Sequence, residues 1–435
     1  MIMVSLNRIF NTPLLRQSFV YVVCDGINKA IPFLLLPFIT YYLSPDDYGI
    51  ITNFNVYVQI VSVFGYLCTA GALPVMFYKL KKEEVRSYVS NMVLLNTLVT
   101  IVCIIINLAV YKPIAKGLNI NLIFQLYAIV FVWFSGITNV NMILWRCEEK
   151  PVAFGVYQIS QSAVNAVTTI LFVITLLMGW QGRIYSSLLS AGVFGFVSIV
   201  ILYRRGYLEA RICKDFILQT TLFAIPIIPH ALSFWFRGGV EKILLSNMYS
   251  LSENGLYSVA LTWGAIVTMF LTAFSNAYSP YLYKKLAKFD KDRDGTLGEQ
   301  IKLIRLIKLS ILAIGVFVVI AYLVSLILIK AIYPSDYFGC LVFLPWVMLS
   351  QLFQGCYLMF VGFPHYTFKT KPLGIITFTW SLISCGFAWI GIKLMGPVGV
   401  AVASAFVSFA TFISIAILST KVYQLPWKGL LSLKL

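Results

Sequence analysis

The sequence predicts an all-α polytopic membrane protein: twelve transmembrane helices forming two parallel-repeat six-helix lobes around a central cavity. Three observations lead there. Of 435 residues, 60% are hydrophobic and 11% charged, and the mean hydropathy is +0.88, far from soluble averages. A bilayer core of about 30 Å requires roughly 20 apolar residues per spanning helix, and such stretches recur along the whole chain. The first half also repeats in the second without a change of direction.

Taken in order, the spans are placed at 17–43, 50–78, 88–111, 121–145, 152–178, 184–203, 216–237, 256–279, 303–330, 339–362, 374–394 and 399–420. The first, SFVYVVCDGINKAIPFLLLPFITYYLS, carries Asp25 and Lys29 near its middle. It is too long for a removable signal peptide and lacks a small-residue cleavage site, so it is expected to stay. The second carries Asn53, Asn55 and Gln59, and Pro74 stands near its end. The fourth holds Asn139 and Asn141, and the fifth, entered through Lys150-Pro151, holds Gln158, Gln161 and Asn165 at i, i+3 and i+7. Gly182 and a run of small residues open the sixth, while the seventh is proline-rich, with Pro226 and Pro229. Residues 238–255 either extend the seventh helix or lie along the interface. Asn276 and Pro280 mark the end of the eighth, Lys371-Pro372 precedes the eleventh, and Gly399 with AVASA opens the twelfth.

The net charge of +17 is explained by where the charges fall, because cytoplasmic loops accumulate lysine and arginine. With both termini inside, 24 of the 33 basic residues lie in cytoplasmic segments. Opposite them stand 7, namely Lys112, Lys116, Arg183, Arg237, Lys242, Lys330 and Lys393, and the remaining two are Lys29 and Lys308. Anionic membrane lipid is then the partner of the basic loops, with no nucleic acid required. The eight cysteines, Cys24, Cys68, Cys103, Cys147, Cys213, Cys340, Cys356 and Cys385, show neither CxxC spacing nor a Cys/His cluster, and read as small core residues rather than a disulfide framework or metal site.

The repeat lays GIITNFNVYVQIVSVFGYLCTAGALPVMFYKLKKE from Gly49 over GLYSVALTWGAIVTMFLTAFSNAYSPYLYKKLAKF from Gly255, at a constant offset of 206 over 35 residues with eight identities. Gly49 pairs with Gly255, Phe64 with Phe270, Pro74 with Pro280 and Lys82 with Lys288. Just upstream, LSPDDYG corresponds to LSENG with two residues dropped. Six spans therefore repeat as six, starting on the same side of the membrane, as parallel repeats related by an axis along the membrane normal do. The lobes are expected to be 1–210 and 211–435.

In that register Lys29 lies 14 residues before Leu43 and Arg237 14 residues before Leu251, about 21 Å along a helix. That depth calls for protein or a water-filled cavity rather than lipid. Asp25 is one turn before Lys29, on the same face. Glu241 is one turn after Arg237 if the helix continues through Gly238-Gly239; if those glycines end it, Glu241 and Lys242 reach the outer surface. Such pairs either serve function or neutralise each other and fix helix packing. The polar residues named on spans two, four, five and eight suit a wet cavity that meets a polar cargo, or equally interhelical hydrogen bonds. Tyr41, Tyr42, Tyr48, Trp145, Trp180 and Trp427 fall near interfaces and read as belt aromatics.

An enzyme finds little support. Catalysis on a membrane substrate calls for paired acids, histidines or a sizeable loop, whereas His230 and His365 lie far apart and the longest loop reads YKKLAKFDKDRDGTLGEQIKL. Its DKDRDG resembles half a calcium loop but lacks the closing glutamate, so a solvated connector is expected and no metal. With no GxxxxGK[ST] motif, energy is expected from an ion or cargo gradient, without a cofactor.

Twelve spans in two lobes, LLPFITYYLSPDDYGI, and FAIPIIPHALSFWFRGGVEKILLSNMYSLSENGLYSVA followed by SPYLYKK resemble the polysaccharide flippases of the multidrug/oligosaccharidyl-lipid/polysaccharide superfamily, the O-antigen type in particular. The resemblance covers essentially the whole chain. Family members usually show Asp-Arg or Asp-Lys where this sequence has Glu241-Lys242, a departure that keeps the charge but lengthens the acid. What the resemblance implies is a cargo of oligosaccharide on undecaprenyl pyrophosphate, moved from the inner to the outer leaflet of a bacterial plasma membrane for O-antigen or capsule assembly, alongside a polymerase and chain-length proteins of that pathway. Lys29 and Arg237 would then bind the pyrophosphate, offsetting its desolvation. Asn53, Asn55, Gln59, Asn139, Asn141, Gln158, Gln161, Asn165 and Asn276 are the sugar-contact candidates, and rocking lobes would alternate access. Asp25, and with it Glu241, is the candidate for coupling to H+ or Na+, because cargo at Lys29 would withdraw the partner that lowers its pKa. Two other readings stand beside this one: a drug or organic-cation antiporter of the same fold, for which the deep cations are ill suited, and a non-transporting component of a polysaccharide assembly complex.

Overall fold

The computed structural model describes residues 13–66, 69–209 and 211–427, and among them every regular element is helical. Cys68 and the terminal basic residues Arg8, Lys428 and Lys434 lie outside the described residues. The chain divides into two compact units, Met1–Trp235 and Phe236–Leu435. This division falls later than the 210/211 boundary expected from sequence, because the helix Lys214–Ala224 packs with the first unit: Cys213 N donates to Asn91 Oδ1 (2.9 Å) and Thr220 Oγ1 to the Tyr88 hydroxyl (2.9 Å).

The first unit comprises α1 (Pro13–Thr40), α2 (Pro45–Gly65), α3 (Thr69–Lys79), α4 (Lys82–Leu118), α5 (Leu122–Cys147), α6 (Pro151–Thr169), α7 (Gly179–Arg204) and α8 (Lys214–Ala224). α9 (Ile228–Met248) crosses into the second unit, which continues with α10 (Leu251–Lys291), α11 (Leu297–Ile332), α12 (Cys340–Phe360), α13 (Gly362–Tyr366), α14 (Thr370–Met395) and α15 (Gly399–Val422). Among the described residues nine helical stretches are long and apolar enough to cross a membrane, or ten if the bent pair around Pro226 and Pro229 is one span. One of the nine, Thr370–Val422, contains both α14 and α15, while α2 and α3 together lie over the expected second span. Broad apolar faces such as Ile320, Leu323 and Ile327 of α11 are exposed. In water so large a patch would drive association; in lipid it is the outer surface.

Local sequence fixes the helix starts. Ser44 and Asp47 form a reciprocal capping box, with Asp47 N donating to Ser44 Oγ (3.1 Å) and Ser44 N to Asp47 Oδ2 (3.0 Å), and Pro45 follows where a missing N–H costs nothing. Ser250 caps α10 in the same way, accepting from Glu253 N (3.1 Å). The two capping serines stand 206 residues apart, the offset of the repeat. The two dropped residues therefore belong to the turn ahead of the cap, which is shorter after α9 than after α1, rather than to the PDD segment. The helices before the caps keep their own register: Lys29 and Arg237 each stand eleven residues before their helix ends, Thr40 and Met248.

In the first unit α3, α4, α5 and α7 enclose a core containing Leu73, Tyr88, Met92, Leu144 and Leu202. Its charged end is tied by Glu148, which pairs with Lys150 (2.9 Å) and with Arg205 at the end of α7, and accepts from the Tyr207 hydroxyl (2.7 Å). Burial and the Glu148 carboxylate push that hydroxyl's pKa up to about 12, so it stays a donor at any physiological pH. The core of the second unit is built on Tyr257, Leu282, Phe343, Phe360 and Phe363. Its connector between α10 and α11 is a solvated turn: Gly295 N donates to Asp292 Oδ1 (2.9 Å), and Lys285 and Lys288 both pair with Glu299.

Candidate functional site

In the first unit the deep polar residues of α1 are met by α6. Helix α6 approaches closely because Gly155 has no side chain; a Cβ there would collide with Cys24 Sγ. One turn on, Gln158 Nε2 donates to Asp25 Oδ1 (3.1 Å), and Ser162 Oγ donates to Asn28 Oδ1. Gln158 and Ser162 are an i, i+4 pair and so share a face. Asp25 is half-buried against this face, whereas Lys29 is exposed and makes no ion pair among the described residues. Of the two alternatives for Asp25 and Lys29, the neutralising ion pair within α1 does not form among the described residues. The carboxylate is oriented by a neutral amide from another helix, and the ammonium is left to meet something else.

The second unit repeats the theme with different partners. Helix α9 runs unbroken through Gly238-Gly239, so Glu241 does not emerge at the surface but is 3% exposed, its Oε2 accepting from the Tyr257 hydroxyl of α10 (2.9 Å). Arg237 Nη2 donates to Ser408 Oγ of α15 (2.7 Å), and Ser408 is itself within hydrogen-bond distance of Ser350 Oγ on α12 (2.8 Å). Arg237 and Glu241 form no ion pair among the described residues. In each unit an acid at depth is held by a neutral donor from another helix, Asp25 by Gln158 and Glu241 by Tyr257.

The sugar-contact candidates separate by environment. Asn53 and Asn141 are fully buried and bound to protein, Asn53 Nδ2 to Leu118 O (2.8 Å) and Asn141 between Ser198 and Arg205 (both 3.4 Å). Gln158 is engaged by Asp25, and Asn165 Oδ1 accepts from Arg183 Nη1 (2.8 Å). Asn55, Gln59 and Asn276 are exposed, and Asn139 and Gln161 are half-buried. Asn55 and Gln59 are one turn apart on α2, where both can meet a single ligand. Sequence reasoning missed Arg183, which reads as one more basic residue of an outer loop. The available signal was the spacing of Asn165, Thr169 and the Ser186-Ser187 pair, whose oxygens all converge on its guanidinium. His365 is exposed on α13, and the His230 side chain lies outside the described residues. Among the described residues no three His, Cys, Asp or Glu side chains gather as a metal site would require.

The family of polysaccharide biosynthesis proteins matches residues 14–285 of this sequence, more than half of the chain. The chain belongs to that family. Two relatives come from Haemophilus influenzae. One, the Lsg locus putative protein 1, is 24% identical over 280 residues, covering 62% of this chain and 66% of the relative. The other, an uncharacterized membrane protein, is 22% identical over 384 residues, covering 86% and 89%. This polysaccharide biosynthesis protein also shares its fold with solved transporters. The lipid II flippase MurJ in an inward closed conformation superposes with a TM-score of 0.71 at 16% identity, covering 95% of this chain and 89% of MurJ. An inward-facing multidrug resistance MATE transporter superposes with a TM-score of 0.69 at 14% identity, covering 93% and 94%. The protein is a multi-pass membrane protein of the MurJ and MATE fold.

Proposed function

We propose that this polysaccharide biosynthesis protein is a flippase, not an enzyme, and that it translocates oligosaccharide repeat units linked to undecaprenyl pyrophosphate from the inner to the outer leaflet of a bacterial plasma membrane, for O-antigen or capsular polysaccharide. Its termini lie in the cytoplasm, and polymerase and chain-length proteins act beside it. The observation that carries this reading is a deep cation in each unit, Lys29 and Arg237, that makes no direct ion pair among the described residues of a family member with a flippase fold. A pyrophosphate entering a low-dielectric environment is costly unless it is ion-paired. Lys29, free of Asp25, and Arg237, bonded only to a serine among the described residues, are suited to supply that pairing during the cycle. Exposed Asn55, Gln59 and Asn276, with Asn139 and Gln161, meet the sugars. The same two cations weigh against an organic-cation cargo.

The test is a deletion strain. It is expected to accumulate lipid-linked repeat units on the cytoplasmic leaflet and to lose surface polysaccharide, both restored by the intact gene. A deletion strain with normal surface polysaccharide and no accumulation would remove the reading.

Asp25 is proposed as the coupling acid, with Glu241 as its counterpart in the second unit. Asp25→Asn keeps the size and a hydrogen-bonding partner for Gln158 but cannot exchange a proton or hold Na+ as a carboxylate does. In proteoliposomes this variant is expected to bind cargo as the parent does, while the several-fold acceleration that a proton or sodium gradient gives the parent disappears. A variant as responsive as the parent would show that Asp25 only orients α6.

A further inference from the structure

Arg183 sits in the first turns of α7, four residues after Gly179 and about 6 Å from the start of the helix. Its Nη1 is shared among four neutral oxygens: Asn165 Oδ1 (2.8 Å), Thr169 Oγ1 (3.0 Å), Ser187 Oγ (3.2 Å) and Ser186 Oγ (3.4 Å). The acceptors are themselves fixed. Ser187 Oγ donates to Arg183 O (3.1 Å), and the Thr169 and Ser186 hydroxyls, 2.8 Å apart, share their protons between each other and the carbonyls of Asn165 and Arg183 (2.6 and 2.8 Å), which leaves oxygen lone pairs for the guanidinium. The cradle is built where α6 gives way to a π-helical turn, Ile170–Thr175, a local geometry that recurs at functional sites.

This arrangement holds a cation but does not neutralise it. No carboxylate pairs with Arg183 among the described residues, and its side-chain hydrogen bonds to them all run from Nη1, which leaves the side-on fork of Nε and Nη2 without a hydrogen-bond acceptor there. Placement early in α7 makes matters worse for an isolated cation, since the positive end of the helix dipole lies there. A half-buried arginine that is oriented by four oxygens, unpaired, and set at the unfavourable end of a helix serves stability poorly. It suits an anion with two oxygens in one plane, which the open fork accepts in two parallel hydrogen bonds.

We infer that Arg183, positioned by Asn165, Thr169, Ser186 and Ser187, forms a phosphate site at the lipid boundary of the first unit, separate from Lys29. Its position one turn inside a span places it at the level of lipid phosphates, on the outer side in the proposed orientation. The phosphate has two sources: the headgroup of an anionic phospholipid, or the cargo pyrophosphate arriving at the outer leaflet. Only the second rests on the flippase reading.

The test uses the full-length protein, purified and titrated with phosphatidylglycerol and, separately, with undecaprenyl pyrophosphate, with bound lipid read by native mass spectrometry. Arg183→Gln and Asn165→Asp remove the open charge in different ways, the second by placing a carboxylate on the guanidinium, so that one variant remains informative if the other fails to fold. Each is expected to weaken binding about tenfold, and Arg183→Lys to weaken it less. Weakening for phosphatidylglycerol alone assigns the site to a headgroup, for undecaprenyl pyrophosphate alone to cargo, and for both to a shared phosphate site. Unchanged binding of both lipids, or a parent protein that binds neither, overturns the proposal. The flippase reading fails separately, in the deletion strain.

Discussion

Replacing Lys29 or Arg237 with alanine, in variants inserted at the parent's level, is expected to reduce surface polysaccharide in a complemented deletion strain at least tenfold, and the double variant is expected to match the deletion. A hydrogen bond to a charged group contributes about 1.5–3 kcal/mol, or roughly tenfold to a hundredfold in an equilibrium or rate. Both cations are free to make that contribution to cargo, because neither forms an ion pair with its one-turn neighbour. Arg237→Lys keeps the charge but loses the fork that reaches Ser408 and is expected to lie between parent and alanine variant. Full surface polysaccharide in both single alanine variants would show that the cations only help helices pack.

The second large effect concerns folding. Gly399→Val is expected to prevent recovery of monodisperse protein or to lower stability by about 3 kcal/mol, the upper range for overpacking. A Cβ at Gly399 would collide with the carbonyl of Gly391 and come within 2.8 Å of Ile392 N, and a Cβ at Gly391 would meet the carbonyl of Gly399 in turn. Here backbone meets backbone, so no side chain can rotate away, and α14 and α15 owe their close approach to two small residues, as membrane helices commonly do. Gly386→Ala on α14, where nothing lies within 4 Å, is the matched control and is expected to be neutral. Thermal unfolding in detergent reads both; equal midpoints for the two variants would contradict the packing account.

What the sequence made legible was whatever depends on neighbours along the chain. Apolar length marked the helices, and Gly49 with Gly255 and Pro74 with Pro280, at one constant offset, fixed the repeat. What it could not resolve were relations between helices. Spacing puts Asp25 and Lys29 on one face, but the partner that wins Asp25 is Gln158, on a helix 133 residues away. The same limit hid Arg183, whose neutral ligands come from two helices, and made Asn53, a buried bond to Leu118 O, look like the exposed Asn55 two residues on. The two-residue deletion was visible, but its place was not, since only the cap geometry shows that the turn shortened ahead of Ser250. At Gly238-Gly239 glycine's weak helix propensity left two courses open. The helix continues, and that continuation buries Glu241.

The central claim, movement of a pyrophosphate-linked oligosaccharide across the bilayer, is tested most directly by reconstitution. Purified protein is placed in vesicles whose lipid-linked oligosaccharide starts on one leaflet, and its arrival on the other is followed with a membrane-impermeant glycosidase. The account predicts transfer that depends on the protein, is lost in the Lys29→Ala, Arg237→Ala double variant, and is accelerated by an ion gradient. Transfer no faster than in protein-free vesicles, with the protein folded and a gradient imposed, would contradict it.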